Sequence, residues 1–495
     1  MFFARVVNEL EMGIYGILFL VYTISWRAGS LGLRFAGSHF IAFFHGKGED
    51  RKVVRTIKLM LGITIISGLT ICAIQFFSSE LLSQWLLGTT SYAYLFEITS
   101  IAIFLAVIAN TFTGFMLGLQ RYKHLTFFRV SSQLIRIIIS VMLLLLGFGV
   151  AAVFLGYIAF NIMLSVLILI SVTYVLLNNN VKVDQTNNNH ISFGTILKFS
   201  IPMMAFQLQL NISDSIDRFI VLNFLGVKAL GIYTVSLTAV TSITMMFATP
   251  VLSSLVPSMS EIYAKAGINK VLRSLKVSSR YVSLILIPAC IGFAVLSPLA
   301  VHILAGTKYL EAAIPLSIIS IGLAIYGFST ILISALLALG KTSKIAISIA
   351  SASLCELAIT VLLVPVLEVP GAAISRTLMY MLMFGLLFLF SFRTLKIAFD
   401  KVIIIKSIVA STVMACILLM ISTYYGFILI MTPLYIIIGI ITYVFTLILL
   451  GGIAQKDVLL LSKVIPGGTE LLRALIRIIA KSPFLQRVIK WIVRN

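Results

Sequence analysis

Charge is what this 495-residue chain has least of: 16 acidic and 37 basic residues make only 11% of it charged, against about 25% in soluble domains. That shortage excludes an ordinary water-soluble protein. Cysteine is nearly absent too, and Cys72, Cys290, Cys355 and Cys416 all fall within apolar runs, with no Cys-x-x-Cys spacing. They read as inert core thiols, and no metal site or cofactor is expected. The chain has no His-Glu-x-x-His motif, no Walker A loop to couple ATP, and no long outer loop to hold a membrane glycosyltransferase, ligase or polymerase site. Those gaps argue against an enzyme. The start, "MFFARVVNEL", lacks the basic segment, long apolar middle and small-residue cleavage site of a signal peptide, so no removed leader is expected.

Apolar sequence fills the space instead, with 60% hydrophobic residues and a mean hydropathy of +1.12. Runs of roughly twenty apolar residues, the length that crosses a bilayer as one helix, recur from end to end. Stretches such as "FGLLFLFSF" and "IIIGIITYVFTLILL" are continuous, unlike the alternating strands of a transmembrane barrel. The fold class is therefore all-α, a polytopic transmembrane helical protein. Breaks at charges, Gly, Pro and Asn clusters predict spans at 12–40, 57–78, 92–118, 126–147, 150–177, 195–224, 229–262, 279–304, 311–339, 344–366, 370–392, 403–423 and 427–452.

The formal charge of +21 sorts by loop. Lys47, Arg51, Lys52, Arg55 and Lys58; Arg121 and Lys123; Lys182; Lys265, Lys270, Arg273 and Lys276; Lys341 and Lys344; and Arg393, Lys396 and Lys401 occupy alternate loops. The intervening set holds little beyond Lys228 and Lys308, with Glu9, Glu11, Glu80 and Glu368. Such alternation puts the basic set in the cytoplasm of a cell-membrane protein, leaves Met1 to Glu11 outside, and makes nucleic acid an unneeded partner. The tail at 453–495 carries the stripes Arg473, Arg477, Lys481 and Arg487, Lys490, Arg494 opposite Leu, Ile, Phe484 and Trp491. It reads as amphipathic helices on anionic inner-leaflet lipids, with an oligomer contact as the alternative.

The sequence also repeats itself. "EMGIYGI" at Glu11 aligns with "ALGIYTV" at Ala229, so that Gly13, Ile14 and Tyr15 fall on Gly231, Ile232 and Tyr233. At the same offset Arg55 meets Arg273, Lys58 meets Lys276, Cys72 meets Cys290, and Gly88-Thr89 meets Gly306-Thr307. Farther on the offset drifts, and Ala151-Ala152 meets Ala372-Ala373. Repeats of this kind build many transporters, with the substrate path between pseudo-symmetric halves. The expected domains are an N-terminal bundle at 1–180, a C-terminal bundle at 194–400, two further helices at 401–452 and the basic tail at 453–495. Moved back by the repeat, the span 195–224 gives a counterpart that starts upstream of Met1 and ends in "MFFARVV". A first helix largely missing from this chain is the expectation.

The string "SDSIDRFIVLNFLGVKALGIYTVSLTAV" resembles the hallmark of polysaccharide-type flippases of the multidrug/oligosaccharidyl-lipid/polysaccharide (MOP) exporter superfamily. The segments "LKFSIPMM", "GTKYLEAAIPLSIISIG", "LLALGKTSK" and "ARVVNELEMGIYGI" are similar to that family's neighbouring segments, so the resemblance covers about residues 2–450. It implies two six-helix bundles plus a final pair, alternating access, and export of a polyprenyl-diphosphate-linked oligosaccharide. Glycan-assembly proteins are implied partners, and coupling to H+, Na+ or the membrane potential stays open. A multidrug or metabolite exporter of the same superfamily, a membrane-embedded glycosyltransferase or polymerase, and a non-transporting scaffold are the rival readings.

Such a substrate requires cations for its diphosphate and hydrogen bonds for its sugars, which directs attention to polar residues inside the spans. Arg27 and Arg34 share one helical face, as lining or as snorkelling side chains. Arg129, Gln133 and Arg136 share another, with Arg136 deep in its span and Glu356 as its repeat counterpart. Arg136 and Glu356 read either as an anion contact opposite an ion-linked carboxylate or as separately satisfied groups. Gln207, Asn211, Asp214 and Arg218 step by 4, 3 and 4 and form one stripe of the span 195–224, which Pro202 bends, and Asp214 with Arg218 can also neutralise each other. Asp217 lies one step off this stripe, toward the adjacent half. Arg376 is either a site residue or a snorkelling one, and His302 reads as structural.

Overall fold

The computed structural model describes residues 2–178, 192–213, 215–339, 341–395 and 399–452. Every regular element among them is helical. The first half runs α1 (Phe2–Val6), α2 (Glu9–Gly29), α3 (Leu33–Gly46), α4 (Asp50–Phe77), α5 (Ser79–Leu87), α6 (Ala93–Gly118), α7 (Tyr122–Leu145) and α8 (Gly149–Asn178). The second runs α9 (Phe193–Ser213), α10 (Ile216–Ile243), α11 (Thr249–Val295), α12 (Ser297–Ala305), α13 (Ala313–Ala338) and α14 (Thr342–Leu395), followed by α15 (Lys401–Tyr425) and α16 (Thr432–Leu449). Eleven segments among the described residues are long and apolar enough to cross a membrane. The protein is thus a multi-pass membrane protein.

Several predicted boundaries move, and the backbone gives the reasons. The span predicted at 12–40 is two helices, because Leu31 and Gly32 adopt φ of 46° and 70° and a left-handed pair ends an α-helix even where the apolar pattern continues. The spans predicted at 344–366 and 370–392 form one run whose sharp break falls at Glu368, with φ 53° and ψ −138°. The span predicted at 279–304 divides between α11 and α12. The span predicted at 195–224 ends early: α9 stops at Ser213 and α10 begins at Ile216. The single stripe expected through Gln207, Asn211 and Arg218 therefore does not exist, since Arg218 belongs to a different helix.

The repeat is present in the backbone. Helices α5 and α12 are both nine residues long, and α6 and α13 are both 26. Left-handed breaks recur in step, at Gly48 and Gly267, Gly88 and Gly306, and Gly147 and Glu368. Asn8, whose side chain caps α2 by accepting from the Glu11 N–H at 2.8 Å, corresponds to Gly226, where α10 breaks with φ 82°.

The contacts divide the chain into two compact units, one of Met1–Thr238, Leu304–Ala312 and Ile349–Ser375, the other of Ala239–Ile303, Ala313–Ser348 and Arg376–Asn495. In the first, α6 is the central helix, and Leu33, Ile41, Val53, Met60, Phe115 and Met116 from α3, α4 and α6 form its core. Hydroxyls there return to their own helix, as Thr111 and Thr113 do to the carbonyls of Val107 and Ala109, which satisfies them without water. Also in this unit, α2 and the second part of α10 meet along a seam of small residues. A Cβ on Gly13 would strike the Val227 carbonyl, and one on Gly231 would strike the Glu9 carbonyl. Lys228 Nζ pairs with Glu9 at 2.9 Å at the end of that seam, and Tyr309 Oη donates to the Val7 carbonyl at 3.3 Å.

In the second unit, Met414 and Leu418 of α15 pack with Leu299, Tyr435 and Tyr443. Ser407 Oγ lies 2.7 Å from Tyr443 Oη, which donates to the Leu284 carbonyl at 2.9 Å. The other faces of α15 and α16 are bare and apolar, with Ile405, Met420, Ile437 and Ile441 all exposed, as lipid contact requires.

Candidate functional site

Within the first unit, α2, α3, α6, α7 and α8 enclose a cavity of about 650 Å³. Arg27, Arg34 and Arg129 line it with Asn110, Gln133 and Asn161, and Tyr22, Trp26 and Tyr157 add aromatic walls. A second cavity of about 430 Å³ adjoins it, lined by Tyr15, Arg136, Ser140, Tyr157, Val235 and Thr238 among others. Tyr157 belongs to both. Neither lining contains an aspartate or a glutamate among the described residues, so the fixed charge facing both spaces is positive.

Local helix geometry places these groups. On α7, Arg129, Gln133 and Arg136 recur at steps of four and three, which stacks them along one face. With the Gln133 amide oriented to accept, its oxygen takes hydrogen bonds from Arg136 Nη2 at 2.6 Å and Nε at 3.2 Å. The same guanidinium lies over the Tyr157 ring, 4.5 Å from its centroid. Arg27 packs likewise over Trp26 at 4.9 Å. These contacts hold planar cations in place at the cavity wall, and a planar guanidinium suits bidentate recognition of phosphate oxygens. On α8, Asn161 Nδ2 donates to Tyr22 Oη at 3.3 Å and to the Tyr157 carbonyl at 2.9 Å. Tyr15, Phe19, Tyr22, Phe154 and Tyr157 form one aromatic cluster with centroids 5.1 to 6.4 Å apart.

Of the residues singled out from sequence, Arg27, Arg34 and Arg136 line these spaces, and Arg129 and Gln133 join them from the face of Arg136. Arg218 lies on α10 and is within electrostatic reach of Tyr15 but does not line either cavity. Asp217 is fully buried and is bound in place, accepting from Tyr233 Oη and from the Arg218 N–H. Glu356 is buried on α14 in the first unit, and Arg376 is buried in the second. Gln207 sits half-buried on α9. The Asn211 side chain and Asp214 lie outside the described residues, as does the tail at 453–495. Sequence reasoning passed over Tyr22, Asn110, Tyr157 and Asn161. The signal for the two asparagines was visible, since "AVIANTFTG" and "GYIAFNIML" each place one carboxamide in an otherwise apolar run.

The cation-lined cavity lies inside a duplicated helical membrane fold, and solved structures of several transporters share that fold. An inward-facing multidrug resistance MATE family transporter of the MOP superfamily superposes with a TM-score of 0.69 at 15% identity, covering 80% of this chain and 92% of that one. The lipid II flippase MurJ in an inward closed conformation gives 0.64 at 17% identity, covering 90% and 96%. A MOP superfamily transporter from Pyrococcus furiosus, noted for the reverse polarity of its binding pocket, gives 0.55 at 16%, covering 78% and 91%. No curated protein sequence matches. Residues 2–315 match the family described as polysaccharide biosynthesis protein, and the chain belongs to it; its fold is that of the MOP superfamily transporters.

Proposed function

We propose that this protein flips a polyprenyl-diphosphate-linked oligosaccharide from the inner to the outer leaflet of the cytoplasmic membrane by alternating access. The observation that carries the reading is the grouping of Arg27, Arg34 and Arg129 around one cavity whose described lining has no carboxylate. A diphosphate crossing a low-dielectric region needs such compensation, because an isolated anion there pays a large desolvation penalty. Carboxamides and aromatic rings beside the arginines suit sugar hydroxyls and sugar faces, while the prenyl chain stays in lipid. A cationic drug would be repelled from the same lining, which disfavours the multidrug exporter.

The test is binding of farnesyl diphosphate to the purified full-length protein, followed by flipping of a fluorescent short-chain polyprenyl diphosphate disaccharide in proteoliposomes. Arg27→Gln and Arg129→Gln should each weaken binding about tenfold or more, the loss of one charge-assisted contact worth about 1.5 kcal/mol or more. Wild-type binding by both variants would remove the basis for this function, as would preference for a lipophilic cation over the diphosphate.

A further inference from the structure

The two cavities lie end to end rather than side by side, and the register of three helices shows it. Along α7 the first is lined by Arg129, Val130, Gln133 and Leu134, and the second by Arg136, Ile137, Ser140, Val141 and Leu144. Along α8 the order runs the other way, with Tyr157 to Leu164 on the first and Val153 and Tyr157 on the second. Along α2, Phe19 to Arg27 face the first, and Met12 and Tyr15 face the second. Antiparallel neighbours reversed in this way fix a single axis, with the three-arginine space toward the Tyr122 end of α7 and the one-arginine space toward its Leu145 end. Arg129 and Arg136 are seven residues apart, about 10 Å along that axis at 1.5 Å per residue.

At the join stand Tyr157, common to both linings, and the Arg136 guanidinium laid over its ring and held by Gln133. We infer that Arg136 is a second anion station, separate from the Arg27, Arg34 and Arg129 site, and that Tyr157 is the partition an anionic headgroup must pass to reach it. The inference rests on the transport reading above and adds an internal step to it. An anion arriving from the first space displaces Tyr157 and Gln133 as the partners of Arg136, exchanging a cation–π contact and amide hydrogen bonds for phosphate oxygens. The repeat counterpart of Arg136 is Glu356, which is buried in the first unit, so duplication does not supply a second cation at this depth.

The experiment compares equilibrium binding with flipping in the full-length protein, using farnesyl diphosphate for the first and the fluorescent polyprenyl diphosphate disaccharide for the second. Arg136→Gln should leave the binding constant within about threefold while slowing flipping at least tenfold, and Arg136→Lys should recover at least a third of the lost rate. Arg129→Gln should do the reverse, weakening binding tenfold or more. Equal loss of binding in Arg136→Gln and Arg129→Gln would collapse the two stations into one, and wild-type flipping by Arg136→Gln would overturn the inference outright. Failure of Arg136→Lys to recover any rate, with an unchanged melting temperature, would also overturn it by showing that charge at this position is not what matters. If Arg27→Gln and Arg129→Gln both bind normally, it is the proposed function that fails, whatever Arg136 does.

Discussion

Gly16 packs against Thr234, and a Cβ built on the glycine would stand 2.6 Å from Thr234 Oγ1. Position 234 is also the repeat counterpart of position 16. The neighbouring contacts obey the same exchange: Gly13 meets Val227, and their counterparts Gly231 and Glu9 meet each other. A local dyad therefore runs through the α2 and α10 seam, and at each end of it a glycine lets one backbone approach another's carbonyl.

Filling that seam should be costly. Gly13→Val inserts atoms where a carbonyl already sits, an overpacking cost of about 3 kcal/mol, read as a lower melting temperature in detergent. Gly62, on α4 with nothing within 4 Å of its Cβ position, supplies the control: Gly62→Ala should leave the melting temperature unchanged or raise it.

Asp217 should behave as a structural carboxylate. It is fully buried and accepts from Tyr233 Oη, so Tyr233→Phe removes a donor to a buried carboxyl group at a cost of about 2 kcal/mol. Thermal unfolding should show this loss, with diphosphate affinity of the folded fraction unchanged. A tenfold fall in affinity at normal stability would instead make Asp217 part of the binding site.

Sugar recognition should reside in the carboxamides. Asn161 spends its Nδ2 on Tyr22 and the Tyr157 carbonyl, which leaves Oδ1 to accept from a sugar hydroxyl; Asn161→Leu removes that acceptor, and about 1.4 kcal/mol for one lost sugar hydrogen bond is tenfold in affinity. The loss should appear for the disaccharide-bearing lipid and not for farnesyl diphosphate. Equal losses for both would mean that Asn161 supports the wall without reading the glycan.

Two cations secure the end of α16. Arg280 Nη2 donates to the Gly452 carbonyl at 3.3 Å, and Lys406 Nζ to the Gly451 carbonyl at 3.0 Å. Carbonyls past a helix end have no partners within the helix, and cations there complement its dipole. Lys406→Met should speed proteolysis near Gly451 several-fold while shifting global melting little, since a partly exposed contact is worth about 1 kcal/mol or less.

The duplication could be read directly from the sequence, because Gly-Ile-Tyr at 13–15 recurs at 231–233 and glycines recur in step at 88 and 306, where the chain needs a close backbone approach or a positive φ. The break between Ser213 and Ile216 could not, since apolar residues continue on both sides and hydropathy does not record where a helix axis turns. The same limit hid the bend at Leu31 and Gly32. In the site, arginine inside an apolar span is conspicuous, and Arg27, Arg34 and Arg136 were visible for that reason. Tyr157 was not, because a tyrosine in a transmembrane run looks like any other large apolar residue until a guanidinium is found over its ring.

A residue beside the local dyad has an image that can keep making the same contact after it is changed. Gly13 is in that position, with Gly231 still in place if it is lost. Gly16 is not, since it touches its own image, and a substitution there removes the single contact that has no duplicate. Of all the glycines in the seam, position 16 is thus the one where the doubled architecture gives no redundancy, and where one altered codon removes a contact that the other copy of the repeat cannot supply.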